Sequence, residues 1–245
     1  MSTEKWKVTF CISRQKGSEQ RTFQNFDLEV DPDEYVLDGV ERIWAFHDRS
    51  LAFRHACHHS TCGACAMLVN SVEKLTCITP IRSVTHNGGV IKIEPLRNFP
   101  VVSDLVVDMS RFYQHMEEVR FDQVAPVEKC SLPYEDQPLK NLEEDQERLV
   151  DCIECGSCIS ACPVALTTPA YLGPAVLAGA QHTLSVLDQN RCVLDFIDSE
   201  NGVWRCHSGF ECTEVCPSNV DPAWRIMDMR RRVIANRIKR LFGRK

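Results

Sequence analysis

The chain has 245 residues, of which 44% are hydrophobic and 25% charged, and its formal net charge is −6 at pH 7. These globular proportions exclude a disordered or fibrous chain, and the acidic balance argues against a nucleic-acid partner. The first residues lack the apolar core of a secretory signal, which predicts a reducing compartment where disulfides are rare. The 14 cysteines therefore favour metal binding.

The first hundred residues predict a small mixed β domain. Alternating apolar and polar residues predict strands at 6–12 and 26–30, joined by a hairpin turn over 13–18. Apolar residues at helical spacing predict a helix over 35–46. A cysteine-rich loop follows this helix, and further strands are predicted after it, over 66–69 and 90–94. The order strand, strand, helix, loop, strand and strand is that of a β-grasp domain.

The rest of the chain predicts helices. Residues 121–151 are acidic and broken by prolines, which is typical of a connector. The uncharged stretch 155–187 holds too many prolines and polar residues for a membrane span. We therefore predict an α+β chain, with a β-grasp domain over residues 1–105 and a helical, bacterial-ferredoxin-like domain over 106–245.

The first cysteine group has the spacing of a plant-type [2Fe–2S] site. Its predicted ligands are Cys57, Cys62, Cys65 and Cys77. Gly63 would let the backbone approach the inorganic sulfide. Zinc held by Cys62 and Cys65 is the alternative, although zinc usually takes two widely separated pairs. Histidine ligands of the Rieske type, from His58 or His59, are not needed, because four cysteines already suffice to bind the cluster. Both histidines are therefore predicted to face solvent.

Two later runs follow the bacterial pattern C-x2-C-x2-C-x3-C-P, in which the fourth cysteine of each run binds the other cluster. The predicted [4Fe–4S] ligands are Cys152, Cys155, Cys158 and Cys216. The second run has Gly209 where its second ligand would stand. That leaves three ligands, Cys162, Cys206 and Cys212, which suit a [3Fe–4S] cluster. Spacing leaves open whether the missing corner is designed or damaged.

Three clusters with no catalytic constellation beside them predict a chain that conducts electrons. Because clusters pass one electron at a time, two-electron substrate chemistry must take place elsewhere. The sequence contains no G-x-G dinucleotide motif and no C-x-x-C-H haem site. Cys11, Cys130 and Cys192 belong to no run and are predicted to be small buried hydrophobic residues.

The cluster order, the glycine at position 209 and the stretch Arg97–Met109 resemble the iron–sulfur subunit of succinate dehydrogenase and fumarate reductase. The resemblance extends to Asp221-Pro222. It implies that the β-grasp domain faces a flavoprotein subunit with FAD and a dicarboxylate site, and that the helical domain faces a membrane anchor subunit with quinone. It also implies that this chain attaches peripherally, through these partners, to the cytoplasmic side of the cell membrane.

The resemblance places Pro163, His207 and Arg230 near the quinone pocket. Many ubiquinone-linked members have a tryptophan pair after the Cys-Pro, whereas residues 164–169 are Val-Ala-Leu-Thr-Thr-Pro here, which favours a menaquinone-type or altered site. The alternatives are a subunit of a heterodisulfide-reductase-like or thiol-linked fumarate reductase, and a free multi-cluster ferredoxin.

The end of the chain is strongly basic. The last 21 residues carry nine Lys or Arg and one Asp, whereas the rest carries 19 basic and 33 acidic residues. Apolar residues recur among them at helical spacing, at Val233, Ile234, Ile238 and Leu241. This pattern predicts a basic amphipathic helix against the headgroup layer or the rim of a membrane subunit. A solvated terminal helix is the alternative.

Overall fold

The N-terminal domain is built on a mixed five-stranded sheet. A computed structural model describes residues 5–120, 152–186 and 191–243. The sheet has the order β2-β1-β5-β3-β4. Its strands are β1 (Trp6–Arg14), β2 (Thr22–Val30), β3 (Ala66–Val69), β4 (Val72–Leu75) and β5 (Val90–Glu94). β1 pairs antiparallel with β2 and parallel with β5, while β3 pairs antiparallel with β4 and β5.

Helix α1 (Val36–Phe46) crosses this sheet and closes its core. It buries one face, formed by Val36, Leu37, Val40 and Ile43. A methyl group at Gly39 would overlap the ring of Phe10 in β1, so the helix and the sheet pack at a distance that only glycine allows. This arrangement confirms the predicted β-grasp fold.

The strands differ from the prediction in length and number. β1 and β2 pair as far as Arg14 and Thr22, so their connection covers 15–21 and not 13–18. β4 was not predicted, nor was the hairpin of β6 (Val101–Ser103) and β7 (Val106–Val107). These three strands have two to four residues, too few to show an alternating pattern, and β4 lacks the unbroken apolar run of the equally short β3.

A buried carboxylate holds the chain where it enters the cysteine-rich loop. Asp104, in the turn between β6 and β7, accepts hydrogen bonds from the backbone N–H of Gln15 at 3.1 Å and of Ala52 at 2.9 Å. It also accepts one from Nε of Arg14 at 3.1 Å. The end of β1, the β6–β7 turn and the loop are thereby joined.

The C-terminal domain is helical, as predicted. Its elements are α2 (Ser110–Glu118), α3 (Ser157–Ser160), α4 (Pro163–Thr167), α5 (Pro174–Val186), α6 (Arg191–Ile197), α7 (Glu211–Glu214) and α8 (Pro222–Leu241). α5 and α8 form its centre through the fully buried side chains of Val176, Leu177, Ile226 and Met229. The predicted connector over 121–151 lies outside the described residues.

The side-chain amide of Asn98 ties the two domains together. Its Nδ2 lies 2.7 Å from the carbonyl oxygen of Ile159, 3.0 Å from that of Ser160 and 3.1 Å from that of Cys162. The first two carbonyls lie at the C-terminal end of helix α3, where the last carbonyls have no partner inside the helix, and the third begins helix α4. Asn98 therefore adds a donor to the acceptors at this helix junction. The stretch 97–109, which carries the family resemblance, therefore contacts the cysteine runs directly.

A buried polar contact reinforces this junction. The Ser160 hydroxyl donates to the Glu73 carboxylate at 2.7 Å and accepts from the backbone N–H of Arg97 at 2.9 Å. One hydrophobic core also runs through both parts, joining Leu75 of β4 to Ile159 of α3. Because residues on both sides of position 105 pack into that core, the predicted boundary between 1–105 and 106–245 stays a prediction.

The C-terminal helix departs from its prediction. Val233 is buried against α5, whereas Ile234, Ile238 and Leu241 are exposed, so these four residues do not form one stripe. The reason is that α8 packs inward only along its first three turns. No helix among the described residues has the length and apolar character needed to cross a bilayer.

The basic residues of α8 are also partly engaged within the chain. Arg237 pairs with Asp198 at 2.5 Å and Arg240 with Asp195 at 2.7 Å. Arg225 is buried and donates to Gln181 of α5 at 3.2 Å. The surface of this helix therefore carries less uncompensated positive charge than the sequence alone indicates.

Candidate iron–sulfur cluster sites

Three cysteines of the first group lie in the loop between α1 and β3. Backbone N–H groups of His59, Thr61 and Cys62 point at the Cys57 sulfur from 3.3 to 3.5 Å. These donors, His59 first, lower the pKa of Cys57 to about 6. Such a cradle favours the thiolate, the form that binds metal.

Cys77 is brought to this loop from another element. Cys65 and Cys77 are both buried, and Cys77 lies in a short 3₁₀ turn, Thr76–Ile78. The Thr76 backbone N–H and hydroxyl both donate to the carbonyl oxygen of Cys65, at 3.2 and 2.9 Å. Burial, and then the nearby sulfurs of Cys65 and Cys57, raise the pKa of Cys77 to about 11. Cationic iron would offset that cost.

Gly63 serves a contact that the sequence did not indicate. Its φ is +68°, and a Cβ there would lie 2.8 Å from Cβ of Cys155 and 2.8 Å from the carbonyl oxygen of Ile153. The loop of the first group therefore packs directly on the loop of the second. The glycine is needed for this approach, in addition to any approach to sulfide.

The second group lines one cavity. Its four cysteines come from two distant runs and are Cys152, Cys155, Cys158 and Cys216. Burial raises the pKa of Cys152 to about 12 and also raises those of Cys155 and Cys158, and the neighbouring sulfurs add to the effect. Three thiols that are costly to ionise alone, in one cavity with a fourth cysteine, fit a site whose occupant is cationic iron.

The third group lies at a second cavity in the helical domain. Its cysteines are Cys162, Cys206 and Cys212, and Gly209 lines the same cavity where a fourth thiol would stand. Burial raises the pKa of Cys162, and it raises that of Cys212 to about 12. A Cβ at Gly209 would overlap the carboxylate of Glu211, an exposed side chain that borders the open corner.

A tyrosine that sequence reasoning missed completes the third site. Tyr171 lines this cavity and is only 5% exposed, and its hydroxyl has no hydrogen-bond partner among the described residues. Burial raises its pKa, followed by the negative charge of the three cysteine sulfurs. A buried hydroxyl without a protein partner, facing three sulfurs, fits a site that supplies an acceptor. Only its place in the fold reveals it.

The residues predicted near quinone divide into two kinds. Pro163 and His207 are exposed and line the cavity of the third group. Arg230 is partly buried and does not line it. Its guanidinium donates to the carbonyl oxygen of Val203 at 2.8 Å and to that of Cys206. Arg230 thus holds the backbone that carries a cysteine of the third group.

Of the three cysteines outside the groups, the two that the structure describes are not fully buried, contrary to the prediction. Cys192 in α6 is exposed, and Cys11 is half-buried. Val8, Phe10 and Ile12 point into the sheet's core, so alternation along β1 turns Cys11 to the opposite face. Cys130 lies outside the described residues. His58 and His59 are exposed, as predicted.

Comparisons with known proteins match both cysteine-rich domains. A family model described as a 2Fe-2S iron-sulfur cluster binding domain matches residues 9–114, and one described as a 4Fe-4S dicluster domain matches 148–220. The fumarate reductase iron-sulfur subunit of Mycobacterium tuberculosis is 34% identical over 226 residues, 90% of each chain. That of Haemophilus influenzae is 34% identical over 211 residues, 81% of each chain.

Two more distant comparisons extend the likeness. A mitochondrial succinate dehydrogenase [ubiquinone] iron-sulfur subunit of Oryza sativa is 32% identical over 80% of this chain and 63% of its own. A chain of the Mycobacterium smegmatis Sdh1 complex in the apo form superimposes with a TM-score of 0.78 and 25% identity, covering 95% of this chain and 98% of that one.

The fold and its two kinds of cysteine-rich domain define an electron-transfer protein of the iron–sulfur class. The alternatives named from the sequence are not favoured by its relatives. The chain belongs to the family of iron–sulfur subunits of fumarate reductase and succinate dehydrogenase, and so to an oxidoreductase complex.

Proposed function

We propose that this chain conducts electrons between a flavoprotein subunit, which carries FAD and the succinate or fumarate site, and quinone held at a membrane anchor subunit. The first cysteine group would hold [2Fe–2S], the second [4Fe–4S] and the third [3Fe–4S]. Such clusters store and pass single electrons, with potentials set by their surroundings. The chain itself supplies ligands, hydrogen bonds and burial, and no substrate chemistry.

The observation that carries this proposal is the linear succession of the three groups. Gly63 in the first group contacts Cys155 in the second. The second and third groups share two chain segments. Helix α3 and the turn after it carry Cys158 of the second group and Cys162 of the third. Helix α7 and the turn after it carry Cys212 of the third group and Cys216 of the second. Each group therefore neighbours the next. We propose that electrons pass in this order, from flavin through the first, second and third groups to quinone, or in reverse.

The third group supports the proposal that quinone is exchanged at its end of the chain. Pro163 and His207 reach solvent beside the Cys162 and Cys206 turns. Exposed apolar side chains surround this end, among them Leu166 and Phe210. We propose that the anchor subunit covers this surface and that the chain attaches through it to the cytoplasmic face of the membrane.

The complex purified anaerobically with its native companions tests the proposal. We expect a flavoprotein and a small multi-span protein, about nine iron atoms per copy of this chain, and three distinct EPR centres. A second four-iron signal in place of the three-iron one would refute the cluster assignment. Succinate or fumarate turnover by the isolated chain would refute its role as a conductor.

The exposed part of α8 provides a separate test of the anchor contact. Exchanging Ile234 and Ile238 for Gln should weaken association with the anchor subunit and slow quinone reduction, while dye reduction through the flavoprotein is retained. Val102→Gln, at an exposed position in β6, is the matched control. Truncation after Met229 is less suitable, because it also removes the buried Val233 and the Arg230 contacts. Normal assembly and quinone turnover in the double variant would show that the exposed part of α8 is only a solvated end.

A further inference from the structure

Three side chains beside the first cysteine group converge on one point, and no cysteine is among them. Oε1 of Glu41, on α1, lies 2.9 Å from Nδ1 of His55 and 3.2 Å from Nε2 of His58. The two imidazole nitrogens lie 3.1 Å apart. Each of the three donor atoms is thus near both of the others.

Protons alone cannot make all three contacts favourable. If both ring N–H groups donate to the carboxylate, they face each other across 3.1 Å. If one ring nitrogen donates to the other, the accepting nitrogen carries no hydrogen. It then has nothing to donate to the carboxylate, and two lone pairs face each other. The buried Oε1 atom of Glu41 in fact accepts no hydrogen bond of acceptable angle from any residue that the structure describes. One ring can therefore donate to the other, but neither of their contacts with the carboxylate has the alignment of a hydrogen bond.

The spacing is that of ligands around a small cation. Zinc bonds to imidazole nitrogen and carboxylate oxygen are about 2.0–2.2 Å long, which puts neighbouring donors in a tetrahedral site about 3.4 Å apart. The observed separations of 2.9 to 3.2 Å reach this value after shifts of a few tenths of an ångström. Two histidines and one carboxylate form a recurrent zinc ligand set that leaves one position open.

Packing fixes the orientation of the two rings. Phe53 stacks on His55 with ring centroids 5.1 Å apart and an interplanar angle of 16°. His58 meets His55 edge-on, at 88° and 5.2 Å. The ring of His55 is therefore held by an apolar neighbour, and both histidines stay partly open to solvent, which allows a cation to enter.

We propose that Glu41, His55 and His58 form a binding site for one divalent transition-metal cation of the zinc type, separate from the iron–sulfur sites. Hard cations such as Mg²⁺ and Ca²⁺ prefer oxygen ligands and would bind poorly here. Since His58 directly follows Cys57, a bound dication lies close to the first cysteine group. It would stabilise the reduced form of a [2Fe–2S] cluster there and raise its reduction potential.

Equilibrium dialysis of the full-length, cluster-loaded chain against Zn²⁺ alone tests the site, after chelator treatment that leaves the iron content intact. We expect one zinc per chain in addition to the iron, unaffected by excess Mg²⁺, with two imidazole nitrogens in its X-ray absorption spectrum. Glu41→Gln and His55→Gln should each weaken zinc binding at least tenfold. His86→Gln, at another exposed histidine of the same domain, should bind zinc as the unaltered chain does.

Iron content and the cluster EPR spectrum of each variant show whether it has folded. If a variant loses its iron, His58→Gln is tested in its place. The X-ray absorption spectrum of zinc bound to the unaltered chain then provides the second measurement. Absence of zinc beyond the iron would show that the three side chains form only a polar contact. Zinc bound equally by all variants, or bound only as iron is lost, would overturn the proposal as well. The iron–sulfur function does not depend on any of these outcomes.

Discussion

Replacing Tyr171 by Phe removes one hydroxyl from the third cysteine site and nothing else. The side chain is 5% exposed, and its hydroxyl faces the Cys206 sulfur without forming a well-aligned hydrogen bond, so little hydrogen bonding within the protein is lost. The ring volume that packs beside the cavity is retained. We expect the chain without clusters to be no less stable, because the removed group is a buried polar atom that the protein does not satisfy.

With a three-iron cluster in place, the hydroxyl would donate to a sulfur of the cluster or of its ligands. A hydrogen bond to a charged group contributes about 1.5–3 kcal/mol, and reduction makes the acceptor more negative. If about 1 kcal/mol of this is specific to the reduced state, the potential of the one-electron couple falls by about 40 mV in the variant, because 59 mV corresponds to about 1.4 kcal/mol.

An EPR-monitored redox titration of the assembled complex measures this shift. The matched control is Tyr113→Phe, since Tyr113 lies at the cavity between the first and second groups, with its hydroxyl 3.8 Å from the sulfur of Met109. We expect the three-iron midpoint to fall in Tyr171→Phe and to stay unchanged in the control. An unchanged three-iron midpoint in Tyr171→Phe, or an equal fall in both variants, would refute the hydrogen bond.

Three other substitutions test the arrangement of the sites. Gly63→Ala should destabilise the contact with Cys155 by about 1–3 kcal/mol, since it adds backbone strain at φ +68° and brings a Cβ to within 2.8 Å of its neighbours. Stopped-flow measurements should then show slower reduction of the second cluster. Gly209→Cys should admit a fourth iron once the Glu211 carboxylate swings away, replacing the three-iron EPR signal by a four-iron one. Asn98→Ala should destabilise the domain junction by about 1–3 kcal/mol, because α3 loses its side-chain donor, and thermal cluster release under anaerobic conditions should begin at a lower temperature.

Matched variants separate these effects from general disturbance. Gly88→Ala has a φ of +80° and no atom within 4 Å of the new Cβ, so it isolates backbone strain. Gly209→Ala displaces Glu211 without supplying a thiol and should keep the three-iron signal. Asn219→Ala is the control for Asn98→Ala, because it removes an exposed asparagine that also has a positive φ, of +53°. If a control behaves like its partner variant, or if Gly209→Cys keeps an unchanged three-iron signal, the corresponding interpretation fails.

Much of the cluster chemistry could be predicted because it is local. Spacings such as C-x4-C-x2-C fit within one loop, and the turn that wraps a cluster is formed by neighbouring residues. The β-grasp order was also predictable, since β1 and α1 each have a clear period of burial. The short strands β4, β6 and β7 were missed because pairing, and not periodicity, maintains them.

What the sequence could not indicate depends on contacts between distant segments. Gly63 and Cys155 lie 92 positions apart, and nothing in either loop predicts that they touch. The same holds for Asn98 at the end of α3 and for the Tyr171 hydroxyl beside the third cysteine group. In α8 the amphipathic pattern was visible in the sequence, but it did not indicate which apolar residues are buried. Packing against α5 decided that Val233 is buried while Ile234 is exposed. Residue types and local spacing thus determined the chemistry of this chain, whereas the packing of its two domains decided which groups meet, because burial and close approach are properties of the assembled core.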